Sequence, residues 1–334
     1  MAIKVNGTTV IDDSRNLQNV QGIKTVGGQS ILGSGDIAAG STPGELAIGQ
    51  LWRSRTTGNS SYYYAIGTDG STFVVGYRAD TMFYSTDSGA TWTATNSNIS
   101  EYYRLRYGIV ADGAGNWVTI GENSRTATSS NGISWTERST PFTNDLYGLA
   151  AGANGKFVAC GSSGAIMYSS NSGVSWSSAS SGVSNALYSA AGDNSGNFVC
   201  CGSGGTVVTS SNNGSSWTTQ TTYLSTQLNG VATDRSGTWV IVGNDGLILT
   251  STNNGANWTE RNSGTSSGLQ KVATDGTYWV AVGQSGKICV TDDPTSVWNT
   301  YPVTPNGTST YQGIATDGNG LWLASGQSGS IAST

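Results

Sequence analysis

An eight-residue stretch, Ser85-Thr86-Asp87-Ser88-Gly89-Ala90-Thr91-Trp92, returns in altered form about every forty residues, and its tryptophan marks the period. The equivalent positions are Trp52, Trp92, Trp135, Trp176, Trp217, Trp258 and Trp298, in steps of 40, 43, 41, 41, 41 and 40. A second aromatic keeps the same interval. Phe73, Trp117, Phe157, Phe198, Trp239, Trp279 and Trp322 each precede Val or Leu, and the first six stand 18 or 19 residues before a box Trp. Short apolar runs punctuated by Gly and Asn at a period of about 40 to 45 residues predict a β-propeller, one four-stranded sheet per unit. In the fifth unit the strands expected are 230–233, 238–242, 247–251 and 258–261, with Gly- or Asn-rich turns between them and no helical periodicity. Both aromatic series count seven.

The chain enters the wheel in the middle of a unit. Gly49-Gln50-Leu51-Trp52-Arg53-Ser54-Arg55-Thr56 matches the box end and outer strand seen again in Gly132-Ile133-Ser134-Trp135-Thr136-Glu137-Arg138-Ser139. The last unit, from Tyr311, has three strands and stops at Thr334, seven residues short of a box Trp placed 19 after Trp322. Trp52 supplies the missing one. Strand 49–56 is therefore expected to pair with 329–334, giving an all-β, seven-bladed propeller of four-stranded blades, closed by an N-terminal strand and free of open sheet edges. The propeller takes residues 46–334. Residues 1–45 form an extended N-terminal arm, in which Val5-Asn6-Gly7-Thr8-Thr9-Val10 reads as a tight hairpin with a type I′ turn. The rest of the arm is too apolar for disorder and too short for a core of its own, so it needs neighbours.

Charged residues make up 10% of the chain and the net charge is -5, which gives a neutral polar surface and weighs against sequence-independent nucleic-acid binding. There is no His, so the commonest general base and metal ligand are missing, and no cofactor or metal is expected. The N-terminus lacks the apolar run of a signal peptide, and no eighteen apolar residues follow one another. That excludes helical membrane insertion and predicts synthesis in a host cytoplasm without export. Cys160, Cys200, Cys201 and Cys289 lie in apolar strand runs and are expected as buried, reduced thiols.

The box resembles the Asp-box of sialidases and BNR-repeat propellers, Ser-x-Asp-x-Gly-x-x-Trp. Ser85, Asp87, Gly89 and Trp92 match it in full, while Asn171, Asn212 and Asn253 replace the acid in the third to fifth units. The second unit lacks a residue before Gly132, and the sixth, with Asp293 and Pro294, keeps only the Trp. A short carboxylate or amide bonds turn amides, Gly takes positive φ, and the Trp plugs between sheets, so the box is a structural device. Trp92, Trp135, Trp176, Trp217 and Trp258 are accordingly expected to be largely buried. Sialidase resemblance would imply an arginine triad, a Tyr nucleophile and an Arg-Ile-Pro motif. That motif is absent here. Arg53, Arg55, Arg138 and Arg261 fall on outermost strands, and Asp69, Asp112, Asp234, Asp275 and Asp317 share one hairpin-turn position as turn formers. The chain is expected not to be an enzyme.

Two further resemblances bear on function. The stretches Asn16-Leu17-Gln18-Asn19-Val20 and Ile23-Lys24-Thr25-Val26-Gly27-Gly28-Gln29-Ser30-Ile31-Leu32-Gly33-Ser34-Gly35-Asp36-Ile37 are similar to leader segments of bacteriophage tail-fibre and other virion proteins. Seven-bladed propellers with this box also resemble photosystem II assembly factors of the Ycf48 type, a family with an export signal and an arginine patch. The virion-like leader and the missing signal favour the first. The expectation is a phage structural protein, a tail-fibre or tail-associated receptor-binding subunit, with a capsid or neck decoration protein as the alternative. Residues 1–45 would join other virion proteins or sister copies in a homo-oligomer, a trimer being one option, and a host glycan or protein would be the receptor. On the connections of the first two blades, Tyr62, Tyr63, Tyr77, Arg78, Tyr102, Tyr103, Arg104, Arg106 and Arg125 are expected on one face as a receptor or partner surface.

Overall fold

In the computed structural model the repeat becomes seven four-stranded antiparallel sheets. The described residues are 52–55, 57, 62–76, 81–96, 107–301 and 309–334, together with four short strands nearer the start. Contacts divide the chain into two compact units, Met1–Gly40 and Ser41–Thr334. In the first, Ile3–Val5 pairs antiparallel with Thr8–Ile11, Val5 opposite Thr8, as the Asn6-Gly7 pair between them leads one to expect, and Thr25–Val26 pairs with Gln29–Ser30. The rest of the arm and its expected boundary near residue 45 lie outside the described residues.

Blade 5 illustrates the unit. Its strands are Leu228–Thr233, Trp239–Gly243, Ile248–Ser251 and Thr259–Arg261, hydrogen-bonded in that order. Every residue of the second strand is buried, because blades cover the sheet on both sides; a continuous apolar run, not alternation, is what such a strand requires. The outer strand, Thr-Glu-Arg, faces solvent. The first strands of successive blades touch one another in a closed cycle of seven, and so line the axis.

Closure follows the sequence expectation. Arg53–Arg55 forms the fourth strand of the last blade, with Ile331 opposite Arg55, Ala332 opposite Ser54 and Ser333 opposite Arg53. Seven apolar clusters fill the seven gaps between neighbouring blades; the one between blades 4 and 5 joins Val199, Cys201 and Val207 to Leu228, Trp239 and Leu249. All four cysteines are buried and free, and burial pushes the Cys289 thiol up to about 11.

The inter-sheet depth expected of the box Trp is held in part by the other aromatic series. Trp117, Trp239 and Trp322, of the second-strand series, are fully buried, whereas the box residues Trp92, Trp176, Trp217 and Trp258 are only half-buried. Trp135, Trp298 and Trp52 are buried. The box lies at the turn between third and fourth strands, at the rim of the inter-blade gap, and the second-strand aromatic already occupies its depth. The box Trp closes its own turn instead: the indole N–H of Trp92, Trp217 and Trp258 donates to the carbonyls of Gly89, Gly214 and Gly255 at 3.1, 2.8 and 2.9 Å.

Turn chemistry matches the box reading. Ser85 Oγ accepts from the Gly89 amide at 2.9 Å, and Asp87 accepts from the Thr91 amide and hydroxyl at 2.9 and 2.6 Å. Those bonds, the Thr91 hydroxyl first, pull the Asp87 carboxyl down to about 2. Asn171, Asn212 and Asn253 accept the equivalent amide with their carbonyl oxygens. Gly89 has φ +77°, and a Cβ there would stand 2.6 Å from Leu323 of the preceding blade, so both backbone and packing demand glycine.

Candidate functional site

The inner strands begin at one mouth of the axis and end at the other, and the two mouths differ. At the far end, a 580 Å³ cavity is ringed by first hairpin turns, including Asp69, Asp234, Asp275 and Asp317. Each of these carboxylates accepts from amides two to four residues ahead, as Asp234 does from Ser236 and Thr238 at 2.8 and 3.0 Å. Asp112 does the same, and so does Asp193, which the sequence reading left out. The acids are turn formers, and their charge is spent on their own loops. The outer-strand arginines are likewise structural: Arg55, Arg138 and Arg261 each donate Nε to a hydroxyl of the neighbouring strand at 2.9 Å, to Ser333, Thr128 and Thr250.

The near mouth is built by a repeated irregularity. In blades 3 to 7 the register of the first strand skips one residue: Leu146 and Gly148 have partners and Tyr147 is extra, and the same holds for Tyr188, Asn229, Gln270 and Gln312. A β-bulge of this kind turns a side chain out of its period-2 direction. In each case the residue before it, Leu146, Leu187, Leu228, Leu269 or Tyr311, is fully buried and plugs the blade interior. The residue after it is Gly148, Ser189, Gly230, Lys271 or Gly313, where inner strands come close; a Cβ on Gly148 would stand 2.7 Å from the Ser189 backbone. The start of each of these strands is pinned by a backbone bond from the second hairpin turn, for instance Ser162 to Asp145 at 2.8 Å and Asn244 to Gln227 at 3.0 Å.

The bulged residues meet around a 250 Å³ pocket on the axis, with Tyr64 and Tyr107 of blades 1 and 2 completing the ring. One side is an aromatic arc. Ring centroids step 6.2 Å from Tyr64 to Tyr107, 5.2 Å to Tyr147 and 5.8 Å to Tyr188, while Tyr62 stacks on Tyr64 at 6.2 Å. The other side carries Gln227, Asn229, Gln270 and Gln312. Desolvation, helped by Asp145, raises the Tyr147 phenol, so that side chain stays neutral and keeps its hydroxyl proton. Lys271 brings the pocket its cation. Its ammonium donates to the Asn229 carbonyl at 3.3 Å, and burial lowers its pKa.

The residues expected at a partner surface divide. Tyr62 is exposed and extends the arc outward. Tyr63 is fully buried, edge-on to Phe83, and bonded through its hydroxyl to Thr57; it holds the plug position that is Leu in four other blades, so it is not part of a surface. Arg125 lies in the second hairpin turn of blade 2 and is ion-paired to Glu137. Tyr77, Arg78, Tyr102, Tyr103, Arg104 and Arg106 lie outside the described residues. Sequence reasoning missed Tyr64, Tyr107, Tyr147 and Tyr188, yet their signal is present: with Asn229, Gln270 and Gln312 they form a third series, in steps of 43, 40, 41, 41, 41 and 42.

A family model described as photosynthesis system II assembly factor YCF48 matches residues 52–333. Among solved structures, YCF48 bound to a D1 peptide superposes with TM-score 0.69 at 17% identity, over 84% of this chain and 96% of that one. YCF48 from Cyanidioschyzon merolae gives 0.68 at 16% identity, over 84% and 98%. The WD40 propeller domain of Doa1 gives 0.68 at 11% identity, over 84% and 94%. No curated protein matches the chain. At these identities the structural likenesses speak for the fold.

Proposed function

The chain belongs to the photosynthesis system II assembly factor YCF48 family, and on that premise we propose that it is a non-catalytic assembly factor that holds a peptide segment of a photosystem II subunit at the tyrosine-lined mouth of its axis. The expectation of a phage tail-fibre or capsid decoration protein, located in a virion and bound to virion subunits or host glycans, is thereby corrected. It rested on a leader resemblance within residues 16–37, whereas the family match spans 52–333, nearly the whole repeat. Its place of work moves with it, to where photosystem II is put together.

One observation carries the reading: five bulges bring aromatic and amide side chains to one pocket, Asn229 also donating to the Leu269 carbonyl of the next blade at 2.9 Å. An extended peptide needs apolar area for its side chains and donors and acceptors for its backbone, and the arc and the amides supply one each. The solved relative with a D1 peptide supports a protein partner of this kind. Tyr62 and Arg125 stand as rim contacts. Tyr77, Arg78, Tyr102, Tyr103, Arg104 and Arg106 are kept as candidate contacts on sequence grounds alone.

Fluorescence anisotropy with a labelled D1 peptide tests this. The full chain should bind, and a Tyr147→Ala, Tyr188→Ala double variant should bind about tenfold or more weakly, as for aromatic anchors at an interface centre. Arg235→Ala, at the opposite mouth, should leave affinity unchanged. No binding by the parent, or full affinity in the double variant, overturns the proposal.

A further inference from the structure

Lys271 is the anomaly of the inner ring. Its column reads Ala65, Gly108, Gly148, Ser189, Gly230, Lys271 and Gly313, six small residues and one lysine. The small residues are there because inner strands converge: a Cβ at Gly230 would stand 2.9 Å from the Gln270 carbonyl and 3.0 Å from Lys271 Cα. The lysine side chain therefore has one direction to go, into the pocket, where its ammonium reaches the Asn229 carbonyl. The buried thiols of Cys201 and Cys160 are near enough to act on it electrostatically, and among the described residues no carboxylate lines the pocket. A carbonyl is a partial partner for a half-buried cation, whose natural complement is an anion.

The shape restricts what that anion belongs to. The pocket holds 250 Å³, below the range usual for sites that enclose a drug-sized ligand. A site of that size has room for the last residues of a chain rather than for a long stretch of it. We propose that the axial pocket is a carboxylate-reading subsite that takes the free C-terminus of the bound peptide, with Lys271 as its counter-ion. This rests on the peptide-binding reading above. The terminal carboxylate enters along the axis and takes a charge-assisted bond from the Lys271 ammonium. Gln270 and Gln312 donate to its remaining lone pairs and to the last peptide carbonyl, and the arc from Tyr64 to Tyr188 covers the last side chains. A lysine held there costs the fold desolvation that its six counterparts do not incur, which is the pattern expected of a residue kept for binding.

The test uses hexapeptide pools made without Asp or Glu and passed over the immobilised full chain: one pool with free carboxyl ends, one with carboxamide ends, and one with carboxamide ends and Glu as the last residue. The parent should retain the free-acid pool about tenfold more than the plain amide pool, a difference of about 1.4 kcal/mol. Lys271→Ser, which installs the residue of blade 4, should abolish that preference without lowering the melting temperature, and Lys271→Arg should keep it. Equal retention of acid and plain amide by the parent, or a preference that survives in Lys271→Ser, overturns the subsite while leaving peptide binding in place. Retention of the Glu-ended amide pool at the level of the free acid overturns the chain-end assignment in favour of a side-chain carboxylate. Retention of none of the pools overturns the subsite and the peptide reading together.

Discussion

Replacing Trp239 and Trp258 separately with Ala separates two kinds of tryptophan within one cluster. Both pack in the gap between blades 4 and 5, Trp239 fully buried on a second strand and Trp258 half-buried at the box turn. Burying an aromatic removes about 150 to 250 Å² from water, and at about 25 cal/mol per Å² Trp239 is worth roughly 4 to 6 kcal/mol. Measured truncations of core aromatics fall at about 3 to 5 kcal/mol, because part of the cavity collapses. Trp258 has about half the area to lose, together with the bond from its indole to Gly255 at 2.9 Å, so about 2 to 3 kcal/mol is expected. With an unfolding entropy of about 2.1 cal/mol/K per residue over roughly 290 residues, Trp239→Ala should lower the melting temperature by about 5 to 8 °C and Trp258→Ala by about 3 to 5 °C. Calorimetry on the two variants gives the comparison. An equal loss, or a larger one for Trp258→Ala, would refute the assignment of depth to the second-strand series.

Removing residues 1–57 takes away the closing strand and Trp52, which packs in the gap between blades 6 and 7, and leaves Ile331–Ser333 as an open edge. The shortened chain should melt lower and self-associate, as seen by light scattering; a monomer with the parent's melting temperature contradicts closure. For Asp87 the sign follows from its depressed carboxyl: the stability it lends is present above its ordinary value of 3.8 and lost as pH falls through about 2. The melting-temperature gap between the parent and Asp87→Ala should thus be full at neutral pH and vanish near pH 2, and a gap independent of pH would show that the carboxylate charge plays no part. Lys271→Ser should be at least as stable as the parent near neutrality. Because burial lowers the lysine's pKa, any stability gain should shrink as pH rises toward its ordinary value and the parent sheds the proton.

The wheel was legible because inter-blade packing repeats one steric demand. An aromatic must stand at the same depth in each gap, so Trp117, Trp239 and Trp322 recur on the count, and the arithmetic from Trp322 past Thr334 to Trp52 finds the closing strand. Depth itself was not legible, since a Trp in a recurring motif looks the same at the rim as inside. The site was hidden by its bulges: alternation predicts where a regular strand points, and Tyr147, Tyr188, Asn229, Gln270 and Gln312 are the residues that leave the alternation. Tyr63 was misplaced for the converse reason. Taken alone it is an amphipathic surface residue; in its column, beside Leu146, Leu187, Leu228 and Leu269, it is a plug. The functional expectation went astray by weighting the arm over the repeat, although the box turns and blade count already resembled the family that the match to residues 52–333 establishes.

A structure of the full chain with a D1 peptide bound tests the central claim most directly. The account predicts peptide density at the axial mouth, in contact with Tyr64, Tyr107, Tyr147 and Tyr188 and within hydrogen-bond reach of Gln270 and Gln312. Density confined to the box-turn face, to the mouth ringed by Asp69, Asp234, Asp275 and Asp317, or to the outer strands would contradict it.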